Sequence, residues 1–161
     1  MTKKIMVIMD EIRYIDPVKD TTLAILLEAK RRGLITFYAE AGDLSLINGK
    51  VKAYARRIDV FDDQLKWHQY LEDRPTVPID LSEFDFVIMR KDPPVDQNYI
   101  YLTYLLEFAN NTQTKVFNNP SSILETNEKI ATNWFPQLVP NTLVSNSKNE
   151  LMDFLNNQKD I

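Results

Sequence analysis

Apolar and polar positions follow one another along the chain in blocks that predict the strands and helices of an α/β fold. Residues 5–9 form a continuous apolar run that ends abruptly at Asp10, which is typical of a buried parallel strand. Residues 20–33 begin with an N-cap signal, continue with helically spaced leucines and end at a glycine. A second strand over 35–40 completes a strand–loop–helix–strand unit of the doubly wound kind.

The strongest local signal is the Asn-Gly pair at residues 48–49, which alternating side chains flank over 44–54. Asn-Gly favours the positive backbone angles of a two-residue type I′ turn, so we predict a β-hairpin. Because this hairpin interrupts the alternation of strands and helices, we expect it to be an insertion at the edge of the sheet. The pattern over 61–80 is mixed and predicts no element.

The second half of the chain continues the alternation. Residues 84–89 predict another buried strand, which runs into a charged segment at 90–92. The helix that follows carries a stripe of aromatic and aliphatic residues that we expect to be core, namely Tyr101, Tyr104, Leu105 and Phe108. Together the elements predict a small parallel-rich sheet flanked by helices, Rossmann-like, with an inserted β-hairpin.

Three further elements are predicted near the end. Residues 115–118 suit a short strand. Ser122 and Ser147 are each followed three residues later by a glutamate, which is the capping-box signature of a helix start. Lys129 comes four residues after Glu125, so on one helix the two would form a surface ion pair, and the residues alone favour this interpretation.

Composition excludes several classes of protein. The 161 residues contain no cysteine, so a disulfide scaffold is excluded. A net charge of -4 argues against general nucleic-acid binding, and no apolar run approaches the length of a membrane span. We expect a cytoplasmic protein. A metal site or a histidine-based nucleophile is not expected, because His68 is the only histidine.

Glycine is scarce, and its positions limit the chemistry. The three glycines, Gly33, Gly42 and Gly49, all fall where turns or helix ends are predicted. None is left for a glycine-rich loop of the kind that wraps nucleotide phosphates.

Two polar segments lie where an open α/β sheet binds ligands, beyond the carboxyl ends of its strands. One runs from Asp10 to Thr22, and the other is Arg90-Lys91-Asp92. An arginine and a lysine together make a plausible clamp for a carboxylate or a phosphate. A solvated charged loop with internal ion pairs is the alternative. Thr21 and Thr22 could present hydroxyls to an anion at a helix N-terminus, although simple capping is favoured.

Several segments, in the same order along the chain, resemble bacterial-type glutathione synthetases. The most specific is Met89-Arg90-Lys91-Asp92-Pro93-Pro94, followed by Tyr101 and Tyr104. The other matching segments extend the resemblance over essentially the whole chain: Ile8-Met9-Asp10, residues 26–33, Gly42-Asp43-Leu44, Ile47-Asn48-Gly49, Asn127-Glu128-Lys129, Trp134-Phe135 and residues 140–144.

That family joins γ-glutamylcysteine to glycine with ATP and Mg²⁺, through an acyl phosphate on the cysteinyl carboxylate. The resemblance implies that residues 1–123 are a pre-ATP-grasp domain and that 124–161 begin an ATP-grasp domain. It implies that Lys129 contacts the nucleotide, which replaces the surface-pair interpretation, and that the protein is a homo-oligomer. It also implies a dipeptide-binding wall made of Asp10, Asp20, Thr21, Thr22, Arg90, Lys91 and Asp92.

The same resemblance implies that a second ATP-binding lysine, a mobile glycine-rich loop and the magnesium ligands lie beyond residue 161. We therefore expect no catalytic residue and no metal ligand in this chain, and no activity from the 161-residue chain alone. Two alternatives stay open. One is a free-standing substrate-binding or oligomerisation module, and the other is a fragment of a different ATP-grasp ligase.

Overall fold

The computed structural model describes residues 2–110, 113–127 and 129–158. Contacts divide the chain into two compact units, Met1–Leu124 and Glu125–Ile161, and each is described by itself. Glu128, which belongs to one of the resembling segments, lies outside the described residues. No helix in the described ranges combines the length and the apolar character that crossing a membrane would require.

In the first unit one α-helix follows the first strand and another precedes the last strand, whereas the seven strands between these helices are joined by loops and 3₁₀ turns. The described part of the second unit contains 3₁₀ turns and one α-helix of ten residues. The strands are β1 (Lys4–Met9), β2 (Ile35–Ala39), β3 (Leu44–Ile47), β4 (Lys50–Ala53), β5 (Arg56–Val60), β6 (His68–Tyr70), β7 (Ile79–Asp80), β8 (Phe86–Arg90) and β9 (Lys115–Phe117). The α-helices are α1 (Thr21–Arg31), α2 (Gln97–Asn110), α3 (Pro120–Glu125) and α4 (Lys148–Asn157), with short 3₁₀ turns between them.

A six-stranded sheet with the order β6-β5-β2-β1-β8-β9 forms the centre of the first unit. Strands β2, β1, β8 and β9 are parallel, whereas β5 and β6 add to the outer side of β2 in antiparallel fashion. The predicted parallel-rich α/β sheet is therefore confirmed. The chain leaves β1 through α1 to reach β2 on one side and later returns to β8 on the other. The β1–β8 boundary is thus the point where the strand order reverses, which is where open sheets bind ligands.

The two faces of β1 supply two separate cores, because successive side chains of a strand point to opposite faces. Met6 and Ile8 pack with Leu106 of α2 on one face. Val7 and Met9 pack with Leu26 of α1 on the other. A strand covered by helices on both faces reads as an unbroken apolar run, which explains the pattern that predicted β1.

The predicted hairpin is confirmed, but its predicted place is wrong. Asn48 and Gly49 have φ angles of 51° and 76°, and Ile47 pairs with Lys50, as a type I′ turn requires. The hairpin strands β3 and β4 join β7 in a separate three-stranded sheet instead of extending the main one. Two causes are visible. Strand β5 occupies the edge beside β2, and Val51 and Ala53 of β4 pack into the α2-side core.

The prediction that the apolar stripe of α2 is core is wrong for its three aromatic residues, whereas Leu105 is partly buried against the core. Tyr101, Tyr104 and Phe108 are 58%, 49% and 51% exposed. The helix buries a neighbouring face instead, made of Leu102, Thr103, Leu106 and Ala109. Nearly every face of this helix is apolar, so its sequence does not indicate which side is covered. The tyrosines tolerate exposure because their hydroxyl ends are polar.

The helix ends were predicted with mixed success. Asp20 caps α1 and Ser147 caps α4, each by accepting a backbone N–H of the first turn, as predicted. Helix α3 begins at Pro120 rather than at Ser122, and the Ser122 N–H donates to the Asn119 side chain at 3.3 Å. Because α3 ends at Glu125, the prediction that Lys129 shares its helix is wrong.

Candidate functional site

The two polar segments singled out in the sequence meet at the carboxyl ends of β1 and β8. Asp10 directly follows β1, and Arg90 is the last residue of β8. In the ladder between these strands Met9 is the partner of Arg90, so the residues that follow lie side by side. This is the reversal point of the sheet, and the parallel register alone brings Asp10 to the Arg90-Lys91-Asp92 segment.

An ion pair joins the two segments. The Lys91 Nζ lies 2.7 Å from Asp10 Oδ1, with the side chains 25% and 36% exposed. The Asp92 N–H donates to the other Asp10 oxygen at 3.1 Å, and Lys91 also donates to the Asp92 carbonyl at 2.8 Å. For Lys91 this arrangement agrees with the alternative interpretation, a loop with an internal ion pair, because its charge is already matched by a carboxylate.

Arg90 is held differently, by two neutral hydroxyls at the start of α1. Its Nη2 donates to Thr21 Oγ1 at 2.8 Å, and its Nε donates to Thr22 Oγ1 at 3.2 Å. Thr22 is only 1% exposed, so this end of the guanidinium is anchored to a buried group. No carboxylate of the described residues forms an ion pair with Arg90. Its orientation is therefore fixed while its charge is not neutralised locally.

Asp20 organises the first turn of α1. Its Oδ1 accepts the Thr22 N–H at 2.6 Å, which is the N-cap interaction predicted from the sequence. This cap fixes the first turn from which both threonine hydroxyls reach Arg90. A hydroxyl that accepts from Arg90 can still donate its own proton, so Thr21, which is exposed, keeps a donor for a ligand.

Tyr38 and Glu40 also bear on this site, and sequence reasoning missed both. The Tyr38 hydroxyl accepts the Ile12 N–H at 3.1 Å and donates to Glu40 Oε1 at 2.7 Å. Burial, followed by the hydrogen bond to Glu40, raises the pKa of Tyr38 above its ordinary value of 10.0. The available signal was a tyrosine within a predicted buried strand, because a buried hydroxyl needs a partner.

A hollow of about 530 Å³ lies beside Lys91 on the α2 side of the sheet, in the size range of small-molecule sites. Most of its wall is apolar. The side chains that line it include Leu44, Pro94, Tyr101, Leu102 and Leu105, with Lys91, Asp96 and Asn98 as polar groups. Sequence reasoning did not anticipate it, because it arises where the hairpin strand β3 faces α2.

Lys129 belongs to the second unit and is exposed. Its backbone is fixed on both sides, since its N–H donates to Asn127 Oδ1 at 3.0 Å and its carbonyl accepts from Thr132 Oγ1 at 2.7 Å. Among the described residues, no group of three or more Asp, Glu or His side chains is arranged to hold a metal ion.

Comparison with known proteins identifies relatives over nearly the whole chain. Residues 3–123 match the family model described as prokaryotic glutathione synthetase, N-terminal domain. The chain is 42% identical over 158 residues to the glutathione synthetase of Salmonella typhimurium (strain LT2), which covers 98% of this chain and 49% of that protein. The glutathione synthetases of Yersinia pestis and Escherichia coli (strain K12) are 42% and 40% identical over the same length. The chain spans about half the length of these curated relatives.

Proposed function

The chain belongs to the prokaryotic glutathione synthetase family, and on that premise we propose that it forms the γ-glutamylcysteine-binding wall of an ATP-dependent ligase. The ligase joins this dipeptide to glycine to give glutathione. In this proposal residues 1–123 form the substrate-side domain, and residues 124–161 begin the nucleotide-binding domain.

The observation that carries the proposal is that seven polar residues lie at the carboxyl ends of β1 and β8 and at the start of α1. The proposed wall consists of Asp10, Asp20, Thr21, Thr22, Arg90, Lys91 and Asp92. Their contacts form two groups. Arg90 donates to Thr21 and Thr22, whose turn Asp20 caps. Asp10 pairs with Lys91 and accepts the Asp92 N–H. Both groups lie at the point where the strand order reverses, and open α/β sheets bind their ligands at that point.

The charges of the wall suit a dipeptide that carries two carboxylates and one ammonium group. Arg90 supplies an oriented cation without a carboxylate partner among the described residues, and it binds a substrate carboxylate through its remaining N–H groups. The Asp92 carboxylate is exposed and forms no ion pair with the described residues, so it accepts from the ammonium group. The Lys91–Asp10 ion pair joins the ends of β1 and β8 and so fixes the relative positions of the two polar segments.

Lys129 is assigned to the nucleotide side. Lys129 is an exposed residue of a type that binds phosphates, and its hydrogen bonds with Asn127 and Thr132 fix the backbone that carries the side chain. ATP supplies the phosphoryl group that activates the cysteinyl carboxylate, with Mg²⁺ as its counter-ion. A cytoplasmic location and a homo-oligomeric assembly are further parts of the proposal, and analytical ultracentrifugation of the full-length gene product tests the assembly.

The function is tested by following ADP release from the full-length gene product with glycine and different dipeptides. We expect turnover with γ-glutamylcysteine and little or none with α-glutamylcysteine, which has the same atoms joined through the other carboxylate. Turnover with another dipeptide but not with γ-glutamylcysteine would instead assign the chain to a different ligase of the same kind. The 161-residue chain alone is expected to release no ADP in the same assay.

A further inference from the structure

Tyr38 reaches from β2 to the backbone that follows β1. Its side chain is 3% exposed, and its hydroxyl accepts the Ile12 N–H at 3.1 Å. The same hydroxyl donates its proton to Glu40 Oε1 at 2.7 Å. Donating and accepting at once, the hydroxyl forms a bridge between a loop backbone and a strand-end carboxylate.

The acceptor at the end of this bridge is itself fixed. The Glu40 N–H donates to Asp43 Oδ2 at 3.0 Å, and the Asp43 N–H donates back to the Glu40 carbonyl at 3.0 Å. Arg74 holds the other Asp43 oxygen at 3.0 Å. The Glu40 backbone is therefore held in place, which limits the positions from which its carboxylate can accept the Tyr38 proton. The Tyr38 hydroxyl keeps the proton that it donates at neutral pH, and burial raises its pKa further above the ordinary value of 10.0.

The bridge lies two residues from Asp10, on the opposite side from the ion pair. On the β8 side, Asp10 is held by Lys91 and by the Asp92 N–H. On the β2 side, the Ile12 N–H is held by Tyr38, and the Ile12 side chain is 1% exposed. Residues 10–12 are thus fastened to both neighbours of β1, which sets the direction in which the loop leaves the strand.

We infer that Tyr38 is a positioning residue for γ-glutamylcysteine, an inference that rests on the proposed function. Through the Ile12 N–H, its hydroxyl holds the loop between β1 and α1 in the conformation that keeps Asp10 against Lys91 and Asp92. Tyr38 does not touch the dipeptide. Its loss lets residues 10–12 move away from β2, so the wall loses its preformed shape and the dipeptide must reorder it on binding.

The test is Tyr38→Phe in the full-length gene product, which removes only the hydroxyl. Because one buried and one partly buried hydrogen bond are lost, we expect KM for γ-glutamylcysteine to rise about tenfold. KM for ATP, KM for glycine and kcat should stay within about twofold, because a positioning residue acts on one substrate only. Hydrogen exchange at the Ile12 amide should become faster. Tyr54→Phe, which removes a hydroxyl from a side chain that is 37% exposed, is the matched control and should change none of these quantities.

A purely structural role for Tyr38 gives a different result. It would lower the urea midpoint of unfolding and leave all three KM values as they were, which overturns the inference. The double variant Tyr38→Phe with Glu40→Gln removes the carboxylate charge that the single variant leaves without its donor. We expect part of the stability to return while KM for γ-glutamylcysteine stays raised, because the Ile12 N–H still has no hydroxyl of residue 38 to donate to. A double variant that restores this KM would contradict the role assigned to the Ile12 contact.

The proposed function and the positioning role of Tyr38 can be refuted separately. A wild-type protein that shows no turnover of γ-glutamylcysteine would remove the proposed function and this inference with it. A wild-type protein that is active, with an unchanged KM for γ-glutamylcysteine in Tyr38→Phe, would overturn the inference alone.

Discussion

Arg90 and Thr21 are 69 residues apart in the chain, yet the guanidinium Nη2 lies 2.8 Å from the threonine hydroxyl. This contact, with the one from Nε to Thr22, attaches the end of β8 to the first turn of α1. Both acceptors are neutral, so they orient the guanidinium without cancelling its charge. A carboxylate in either position would have paired with the guanidinium and occupied the cation that a substrate carboxylate requires.

The first prediction concerns the charge of Arg90. Replacing Arg90 by Met removes a charge-assisted contact worth about 1.5–3 kcal/mol, so KM for γ-glutamylcysteine should rise roughly 10- to 100-fold. Arg90→Lys keeps the charge but loses the two-point geometry, so its KM for γ-glutamylcysteine should lie between the values of wild type and Arg90→Met. Steady-state kinetics of the full-length gene product, with calorimetric binding of the dipeptide, measures both effects.

The matched control for Arg90 is Arg57 of β5. Its nearest carboxylate partner, Glu72, is 3.9 Å away, and the Arg57 side chain is 43% exposed. Arg57→Met should therefore leave KM for γ-glutamylcysteine unchanged. An equal rise in the two variants would mean that the effect follows from net charge and not from the position of Arg90.

The second prediction concerns the cap that presents the threonines. Asp20→Ala removes the acceptor for the Thr22 N–H and should lower the free energy of unfolding by about 1 kcal/mol. Asp20→Asn keeps a side-chain oxygen in the same place, so it should lower the free energy of unfolding by no more than a few tenths of the Asp20→Ala effect. Urea unfolding followed by circular dichroism compares the three proteins. Equal destabilisation by Asn and Ala would show that the charge of Asp20, and not its capping oxygen, is what matters.

The contacts of this site that join residues close in sequence or follow from the parallel sheet were predictable, and those that depend on the packing of distant elements were not. The Asp20 cap is a contact within three residues, and the sequence pattern found it directly. The meeting of Asp10 with Lys91 was predictable at the level of the sheet edge, because parallel strands end on one side. The pairing of Arg90 with Thr21 and Thr22 was not predictable, since it depends on how α1 packs over β1 and β8. The Tyr38 bridge was missed for the same reason.

The errors in the fold arose where the local sequence pattern does not indicate what an element packs or pairs with. Apolar periodicity identifies a covered face only when the opposite face is polar, and α2 carries apolar side chains on both. Its tyrosines were therefore assigned to the core although Leu102 and Leu106 occupy it. The hairpin strands were recognised by their turn, but nothing local indicates which edge they join. The second sheet follows from the position of β7, a two-residue strand too short to leave a pattern.

The third prediction concerns pH and α1. Hydrogen bonds from Arg31 and then Arg32 lower the pKa of Glu28 from 4.5 to about 2. A carboxyl group whose pKa falls on folding stabilises the protein above its unfolded pKa and loses that effect as the pH drops through the folded value. The stability difference between wild type and Glu28→Gln should therefore be largest above pH 4.5 and shrink towards pH 2.

Salt provides the control for this pH effect. All three side chains are well exposed, so added salt should screen their interaction and reduce the difference between wild type and Glu28→Gln. Urea unfolding over that pH range, at low and high salt, measures it. A difference that persists unchanged at the acid end or in high salt would contradict an electrostatic role for Glu28.

The fourth prediction concerns the hairpin turn, whose β3 strand lines the hollow beside Lys91. Gly49 has a φ of +76°, and no atom lies within 4 Å of the position that a β-carbon would take. Because this backbone conformation costs an L-residue about 1–2 kcal/mol, Gly49→Ala should lower the free energy of unfolding by about that amount. Gly42 has the same open surroundings without a positive φ, so Gly42→Ala should leave stability unchanged or raise it slightly. The urea midpoints of the two variants measure the cost of the positive φ, because neither site is sterically crowded and only the backbone angle differs. Equal midpoints would show that the turn relaxes to another geometry at little cost.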